Sequence, residues 1–337
     1  MGASGLSLLT IAGRQWSDKR ELRVASVSAS WPASNAGRLS AMLSAREAWL
    51  LGIDDYLGTY VRFDHPTMGP WAGKIEATNI NIDGASIELV CESMAGAMKK
   101  RRTKKAQRQA SAPAGSHVLR AFADLAVNDL PYDDIQADTD GDPIARTWNA
   151  DDLFNVVTGL ARESEHAFDV TIDDDWLVAF AFRRQLGEDK TGDVVLAEGY
   201  QIAGGSIVPT VANLVNDLLV ASGEVNWRDA TTTAVVNPAS AQTYGLRQGT
   251  ARYDGFSSPQ ALATRARIDL QRRGVPTIPV SFKLSDREPL LAEIRTGDII
   301  RVWSASANAM YLVSVTGRSV DAESGVATLV GNAEIET

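Results

Sequence analysis

The sequence predicts a mainly β protein with an α+β insert, in which two small β-barrel domains are related by internal duplication. Two observations predict this class: a stretch near the N-terminus recurs near the C-terminus, and the regions around both copies are patterned as short strands. At 337 residues the chain is longer than one hydrophobic core usually supports, so two or three domains are expected.

The repeat relates Ser40–Ile53 to Ser281–Ile294 at a constant offset of 241 residues. Seven of its fourteen positions are identical, where about one is expected by chance. In the first copy these are Ser40, Leu43, Ser44, Arg46, Glu47, Leu50 and Ile53. After a slip of two residues, the match resumes between Gly58–Phe63 and Gly297–Val302.

Beyond this point the two copies share only a pattern of apolar residues. Ile75 and Ala77 are matched to Val313 and Val315, and the following isoleucines, Ile80 and Ile82, to Val320. In both copies the inward-facing phase changes parity along this stretch, which predicts a β-bulge or a strand end.

Four segments follow from the local patterns. They are a first β-barrel domain at 1–98, a basic linker at 99–114, an α+β insert at 115–202 and a second β-barrel domain at 203–337.

The first segment is patterned as strands, because apolar and small polar residues alternate with period two. Its expected strands are Leu6–Ala12, Arg23–Trp31, Arg38–Leu43, Gly58–Phe63, Trp71–Asn81 and Ser86–Cys91, the last two joined by an Asp83-Gly84 turn. Arg46–Ile53 fits a helix or a bend equally well.

The insert has two expected helices and a hairpin. Ser116 is expected to cap a helix with its buried face on Leu119, Phe122, Ala123 and Ala126. Asn149–Glu165 is the clearest helical pattern in the chain, with Asp151 and Asp152 in its first turn. The expected hairpin joins Phe168–Ile172 to Trp176–Phe182.

The last segment returns to strands. These are expected at Val208–Val220, Thr231–Val236, Ile278–Leu284, Gly297–Trp303, Tyr311–Thr316 and Val326–Val330. One helix interrupts them: Ser258 is its cap, Pro259 its first residue and Gly274 its stop. Its expected buried stripe is Leu262, Ala266 and Leu270.

Charge is distributed unevenly along the chain. The net charge is −9, but Lys99–Arg108 contains seven basic residues and no acid, so the remainder carries −16. Such a surface repels nucleic acid. The basic stretch fits a solvated linker better than a phosphate-binding patch, because no aromatic residue is interleaved to stack on bases.

The sequence predicts no catalytic, cofactor-binding or metal-binding residues. His65, His117 and His166 lack metal-ligand spacing and are expected at the surface or at helix ends. Asp138–Asp142 resembles a calcium loop only faintly, because it lacks the required glycine and final glutamate. Cys91, the only cysteine, is expected to pack in a strand.

The repeated Leu-Ser-x-Arg-Glu motif is the most specific feature. Arg46, Glu47, Arg287 and Glu288 are candidate inter-subunit contacts, because a structural role explains one motif in two equivalent domains. If so, Glu47→Ala and Glu288→Ala each weaken assembly. The alternative is a solvated bend in both copies.

Further motifs are spread over most of the chain. They are Val61-Arg62-Phe63, Gly69-Pro70-Trp71-Ala72-Gly73, Leu89–Glu92 before Arg101-Arg102-Thr103, Asp152-Leu153-Phe154 with Leu160-Ala161, the Trp176 hairpin, Asn216-Asp217, and Gly297-Asp298 followed by Val302. Together they resemble the baseplate hub, or tail hub, proteins of long-tailed bacteriophages.

The resemblance implies two tail-tube-like β-barrels per subunit and a homotrimer. The implied protein is a non-enzymatic tail-tip adaptor between a sixfold tail tube and a threefold tip, assembled in the host cytoplasm. Its implied partners are the tail tube or distal tail protein, a central fibre or spike, the tape measure protein and DNA in transit. No membrane span is expected. Two alternatives stay open: a sixfold distal tail protein that attaches a carbohydrate- or receptor-binding protein, and a cell-wall hydrolase.

Overall fold

The fold is organised around one long, mostly antiparallel sheet to which both ends of the chain contribute. The structure is a computed structural model that describes residues 7–12, 18–44, 46, 57–81, 86–103, 107–124, 130–148, 150–222, 230–253 and 259–336. Within these ranges, no helix is both long and apolar enough to cross a bilayer.

The N-terminal β unit contains the first seven strands. They are β1 Ser7–Ala12, β2 Arg20–Val24, β3 Ser26–Pro32, β4 Arg38–Ser44, β5 Tyr60–His65, β6 Gly69–Asn81 and β7 Ser86–Ser93. Their spatial order is β3-β4-β7-β6-β5-β1-β2, with every neighbouring pair antiparallel. The predicted alternation is confirmed in β4, where Leu39, Ala41 and Leu43 are buried and their neighbours are not.

The middle unit follows a 3₁₀ helix at Met94–Lys100. Its elements are β8 Gln107–Ala112, α1 Ala114–Asp124, β9 Asp134–Ala137, β10 Ile144–Trp148, α2 Leu153–Ser164, β11 Ala167–Ile172 and β12 Val178–Arg183. One small sheet pairs β10 with β8, and a second has the order β11-β12-β9. Both helices pack on a core separate from that of the long sheet.

The chain then enters the C-terminal β unit through β13 Val195–Ala197 and β14 Gly204–Ile207. It leaves for an inserted unit whose elements are β15 Asp217–Ser222, β16 Thr231–Val236, α3 Pro238–Tyr244, β17 Gln248–Arg252 and α4 Pro259–Arg273. It returns through β18 Pro279–Ser285, β19 Ile299–Ser304, β20 Ala309–Asp321 and β21 Val326–Ile335, with a 3₁₀ helix at Pro289–Ala292 after β18.

Several expected elements occur where the sequence predicts them. Helix α2 begins after Asp152, whose side chain caps it by accepting from the Asn155 N–H at 3.1 Å. The predicted hairpin is β11 with β12. Helix α4 buries the predicted stripe of Leu262, Ala266 and Leu270 on β15 and β16.

Parts of the predicted linker at 99–114 form regular structure. Its first two residues complete a 3₁₀ helix, where the Lys99 ammonium lies 2.6 Å from the Glu92 carboxylate and Lys100 lies 3.4 Å from Glu76. Residues 107–112 form β8. Acidic side chains of β6 and β7 therefore neutralise part of the basic run.

The predicted cap of α1 is wrong, and its predicted face is right only in part. The helix begins at Ala114, two residues before Ser116. Phe122 is buried as predicted, but Leu119 is 36% exposed. His117 lies on the inward face instead and is fully buried, and its Nε2 is 2.6 Å from the Ile144 carbonyl oxygen of β10. This partner is 27 residues away along the chain, so the local sequence carries no sign of the contact.

The two β units pair five strands in the same order. The N-terminal order β3-β4-β7-β6-β5 corresponds to β14-β18-β21-β20-β19 in the C-terminal unit. Val90 of β7 lies between Ser40 and Ala77, as Val330 of β21 lies between Ser281 and Gly317. These pairs preserve the sequence repeat at offsets of 240 and 241 residues. The sixth position differs, because β1 runs antiparallel to β5 whereas β13 runs parallel to β19.

The predicted change of phase is a β-bulge in both units. The register shifts between Ile75 and Ala77 in β6, and between Val315 and Gly317 in β20. The equivalent of Ile75 is therefore Val315 rather than Val313. The apolar pattern could not reveal this two-residue error, because a slip of two keeps every side chain on the same face.

Candidate assembly interface

The two β units meet edge to edge within the chain. Strand β3 of the N-terminal unit pairs antiparallel with the second half of β20 in the C-terminal unit. The opposed residues are Ser28 with Asp321, Ala29 with Val320, Ser30 with Ser319, Trp31 with Arg318 and Pro32 with Gly317. A single hydrophobic cluster runs beneath both units, so this pairing is part of a continuous core.

Side chains fasten the same junction outside the strand pair. The Thr67 hydroxyl donates to the Asp286 carbonyl oxygen at 2.6 Å, and the Thr296 hydroxyl donates to the Trp31 carbonyl oxygen at 2.9 Å. The sequence did not identify these contacts, because their partners lie up to 265 residues apart and share no local pattern.

His65 lies at this junction, at the end of β5. The backbone N–H groups of Thr67 and Met68 donate to its Nδ1 at 3.3 and 3.2 Å, so Nδ1 is the unprotonated nitrogen. Its Nε2 lies 4.0 Å from an Asp286 carboxylate oxygen. Burial lowers the pKa of His65, and the nearby Asp286 charge opposes that shift only in part. The imidazole is therefore a neutral structural group.

A half-buried arginine joins three parts of the fold next to the same strand pair. Arg318 of β20 donates from Nη1 to the Ile294 carbonyl oxygen at 2.5 Å. Burial lowers the pKa of Arg318 to about 10, while the charges of Asp169 and Asp298 act in the opposite direction. Burial in turn raises the pKa of Asp169 on β11, and the charge of Arg318 opposes this. Arg318 thus links the middle unit electrostatically to the C-terminal unit.

The structure describes three of the four predicted contact residues. Arg287 is exposed, and the Glu288 side chain caps the 3₁₀ helix by accepting from the Leu290 N–H at 3.5 Å. Both follow Asp286, which contacts Thr67 across the junction. Arg46 is exposed, and Glu47 lies outside the described residues.

The histidines and acids that the sequence singled out do not converge. His117 lies in the first turn of α1 and His166 directly follows the cap of α2, so both are at helix ends as expected, but both are buried. His166 stacks on Phe182 with ring centroids 5.0 Å apart. In the described part of the chain, no three His, Cys, Asp or Glu residues form a group that could hold a metal. Cys91 is packed in β7, where burial raises the pKa of its thiol to about 12.

Solved structures with the same fold include several phage tail proteins. Prophage tail protein gp18 from Listeria monocytogenes EGD-e is 11% identical, covers 98% of this chain and 96% of its own, and has a TM-score of 0.63. The 43 kDa tail protein of prophage MuSo2 from Shewanella oneidensis is 9% identical, with coverages of 97% and 98% and a TM-score of 0.69.

A third similar structure is the c3393 protein of E. coli, described as a type VI secretion component that resembles the T4 tail proteins gp27 and gp5. It is 12% identical, covers 98% of this chain and 77% of its own, and has a TM-score of 0.57. No family model and no curated protein matches the chain by sequence. The fold is therefore one that phage tail proteins have, as the sequence motifs predicted.

Proposed function

We propose that this protein is a structural virion component, the baseplate or tail-tip hub, and that it assembles as a homotrimer. One observation carries the proposal: a single chain contains two β units with the same strand order, matching registers and a bulge at the same place. We interpret them as two tail-tube-like barrels that arose by internal duplication.

Two barrels in each chain would reconcile the different symmetries of the tail tube and the tail tip. A tail tube presents six identical subunits around its axis, whereas a central fibre or spike has threefold symmetry. Three copies of a chain with two similar barrels present six quasi-equivalent barrels to the tube and three middle units to the tip. The proposed role is thus an adaptor, and the protein is proposed not to be an enzyme.

The similar structures support this role at the level of fold. They cover nearly the full length of this chain, and their titles name tail proteins and a protein that resembles two T4 tail components. We propose a tail tube or distal tail protein above the ring, a fibre or spike below it, and the tape measure protein inside. The acidic chain would let genomic DNA pass through the lumen without binding.

Light scattering of the purified protein tests the oligomeric state. A trimer gives three times the chain mass of 36.2 kDa, and a particle of that mass with threefold symmetry in electron micrographs supports the hub. A hexamer would contradict it and favour a distal tail protein, although six chains would then present twelve barrels. Cleavage of purified peptidoglycan would favour the hydrolase.

A further inference from the structure

The β3·β20 junction has an unfilled counterpart at the two outer edges of the chain. One edge of strand β20 has two partners in succession. It pairs with β19 up to Ser314, and from Gly317 onward it pairs with β3. Its equivalent, β6, pairs with β5 only from Gly69 to Lys74. In the described structure no strand takes the place of β3 beside residues 77–81 of β6.

The other half of the counterpart is β14. This strand pairs with β18 as β3 pairs with β4: Gly204 faces Lys283, and Ser26 faces the equivalent Met42. The other edge of β3 pairs with β20. Among the described strands, β14 has a neighbour on one side only. The chain therefore carries one complete junction and two complementary halves of a second.

Burial distinguishes the filled junction from the open halves. Val320 and Ala29, which oppose each other inside the chain, are each 2% exposed. Ile80, the equivalent of Val320, is 56% exposed. Ile207, the equivalent of Ala29, is half-buried, and Val208, one residue beyond β14, is 50% exposed. Apolar side chains on an unpaired strand edge favour pairing with another chain.

A groove beside β14 fits the same explanation. It has a volume of about 480 Å³, and its lining includes Ile207, Phe282, Val302, Ser306 and Tyr311. In the N-terminal unit, the equivalent of Ser306 is Thr67, which is bonded to Asp286 of the neighbouring unit. The turn at Thr67 thus contacts the other β unit of the same chain, whereas the equivalent turn at Ser306 lines an open groove.

We propose that β14 of one chain pairs antiparallel with the end of β6 in a second copy of this chain. The register of the internal junction then sets the register between chains: Ser206 opposes Asn81, Ile207 opposes Ile80, and Val208 opposes Asn79. Pro209 has no N–H to donate, so it limits the strand pairing at that end. The partner is a second copy because both halves repeat an interface that this sequence already forms with itself.

This contact is head-to-tail, because the two edges that meet are different. Head-to-tail contacts close into a ring only when the rotation between neighbours divides a full turn. If each junction turns the units by about 60°, six units from three chains close. The inference rests on the proposed trimer and adds which strands form it and in which register.

Cysteine cross-linking tests the register. In the full-length Ile80→Cys/Ile207→Cys variant, mild oxidation is expected to link neighbouring chains, because directly opposed residues have Cβ atoms about 4.5–5.5 Å apart. The expected product on a non-reducing gel is a ladder ending at three chains. The matched control, Ile80→Cys/Leu246→Cys, places the second thiol at a position 63% exposed on the inserted unit and is expected to give no ladder.

Charge substitutions provide a second readout that needs no disulfide. Ile80→Glu and Val208→Glu are each expected to lower the trimer's association constant at least tenfold with an unchanged circular dichroism spectrum, whereas Leu246→Glu leaves it unchanged. A trimer that persists in both variants and gives no cross-link overturns the strand pairing but leaves the hub proposal standing. A wild-type protein that is monomeric at every concentration overturns both.

Discussion

His65 is 7% exposed at the end of β5, although its sequence context predicted a surface position. Its two N–H donors lie two and three residues away, yet its burial depends on a β unit more than 200 residues distant. Local patterns do not report contacts of that kind.

The neutral state of His65 predicts acid sensitivity. Its folded pKa is below the unfolded value of about 6.5, so its contribution to stability is complete above pH 6.5 and declines as the pH falls toward the folded pKa. For one proton, this decline cannot exceed about 1.4 kcal/mol per pH unit. Between pH 7.5 and 5.5, the unfolding free energy of the wild type should fall further than that of His65→Asn, by at most about 1.4 kcal/mol.

Urea unfolding at the two pH values measures this difference. Asparagine offers an acceptor near the position of Nδ1 but does not titrate, so the variant accounts for the pH response of all other groups. Equal losses in the two proteins would contradict the prediction.

The repeated Arg-Glu motif alone predicts that Glu47→Ala and Glu288→Ala each weaken assembly, but the position of Glu288 in the structure changes that expectation for the second copy. The turn that contains Glu288 adjoins the junction inside the chain, because the preceding Asp286 contacts Thr67. By equivalence, Glu47 would adjoin the junction between chains. Glu47→Ala should therefore weaken the trimer, on the order of 2–4 kcal/mol per interface for a partly buried ion pair. Glu288→Ala should lower the free energy of unfolding instead.

A glutamine variant separates the cap from the charge. Glu288→Gln keeps an oxygen that can accept from Leu290 but removes the charge, so an effect of Glu288→Ala that glutamine restores belongs to the cap. Light scattering and chemical denaturation of the three variants give the two readouts. A Glu47→Ala protein that remains trimeric at nanomolar concentration would identify the motif as a solvated bend.

At the scale of elements, the repeat could be detected in the sequence because equivalent turns and buried positions in the two β units require similar residues. Gly58 and Gly297 match in the sequence, and both have positive φ, +82° and +100°. Gly69 and Asn308, at equivalent turns, also have positive φ. The inserted unit was not separated, because β15 to β17 are short and their pattern resembles that of the surrounding barrel strands.

Alanine substitutions at Gly58 and Gly297 are expected to lower the free energy of unfolding by unequal amounts. Alanine at Gly58 adds only the penalty of positive φ, about 1 kcal/mol, since the nearest atom to the new Cβ is a lysine methylene at 3.7 Å. Alanine at Gly297 adds a Cβ 2.6 Å from the Gly187 nitrogen, so the backbone must move. The loss of unfolding free energy should exceed about 2 kcal/mol.

Chemical denaturation of the two variants measures the difference. Gly192→Ala is the control, because nothing lies within 4 Å of the added Cβ and its stability should be unchanged. A Gly297→Ala protein that is as stable as Gly58→Ala would show that the loop at Gly187 moves aside without cost.

At the scale of the whole molecule, one chain contains a repeated unit that is interrupted at one place. In the N-terminal unit a short turn connects β3 to β4, but the equivalent strands β14 and β18 are separated by the inserted unit. Thr210 and Thr277 close that excursion, each donating its N–H to the carbonyl oxygen of the other at 2.8 and 3.1 Å. The inserted unit has its own core, which includes Leu218, Leu262 and Leu270.

This architecture predicts that the inserted unit can be removed. Replacing residues 211–276 with a short Gly-Ser linker should leave a folded protein that still forms the trimer, because a turn already joins the equivalent strands in the other unit.

The deletion also removes contacts with the end of α2: the Arg272 ion pair with Glu165 and the Arg265 bond to the Glu163 carbonyl oxygen. The full-length Arg265→Ala/Arg272→Ala variant measures those losses alone. Circular dichroism and light scattering should show both proteins folded and trimeric. A deletion variant that is monomeric while the double variant assembles would place the inserted unit in the interface, and β14 alone would then be insufficient to hold the ring together.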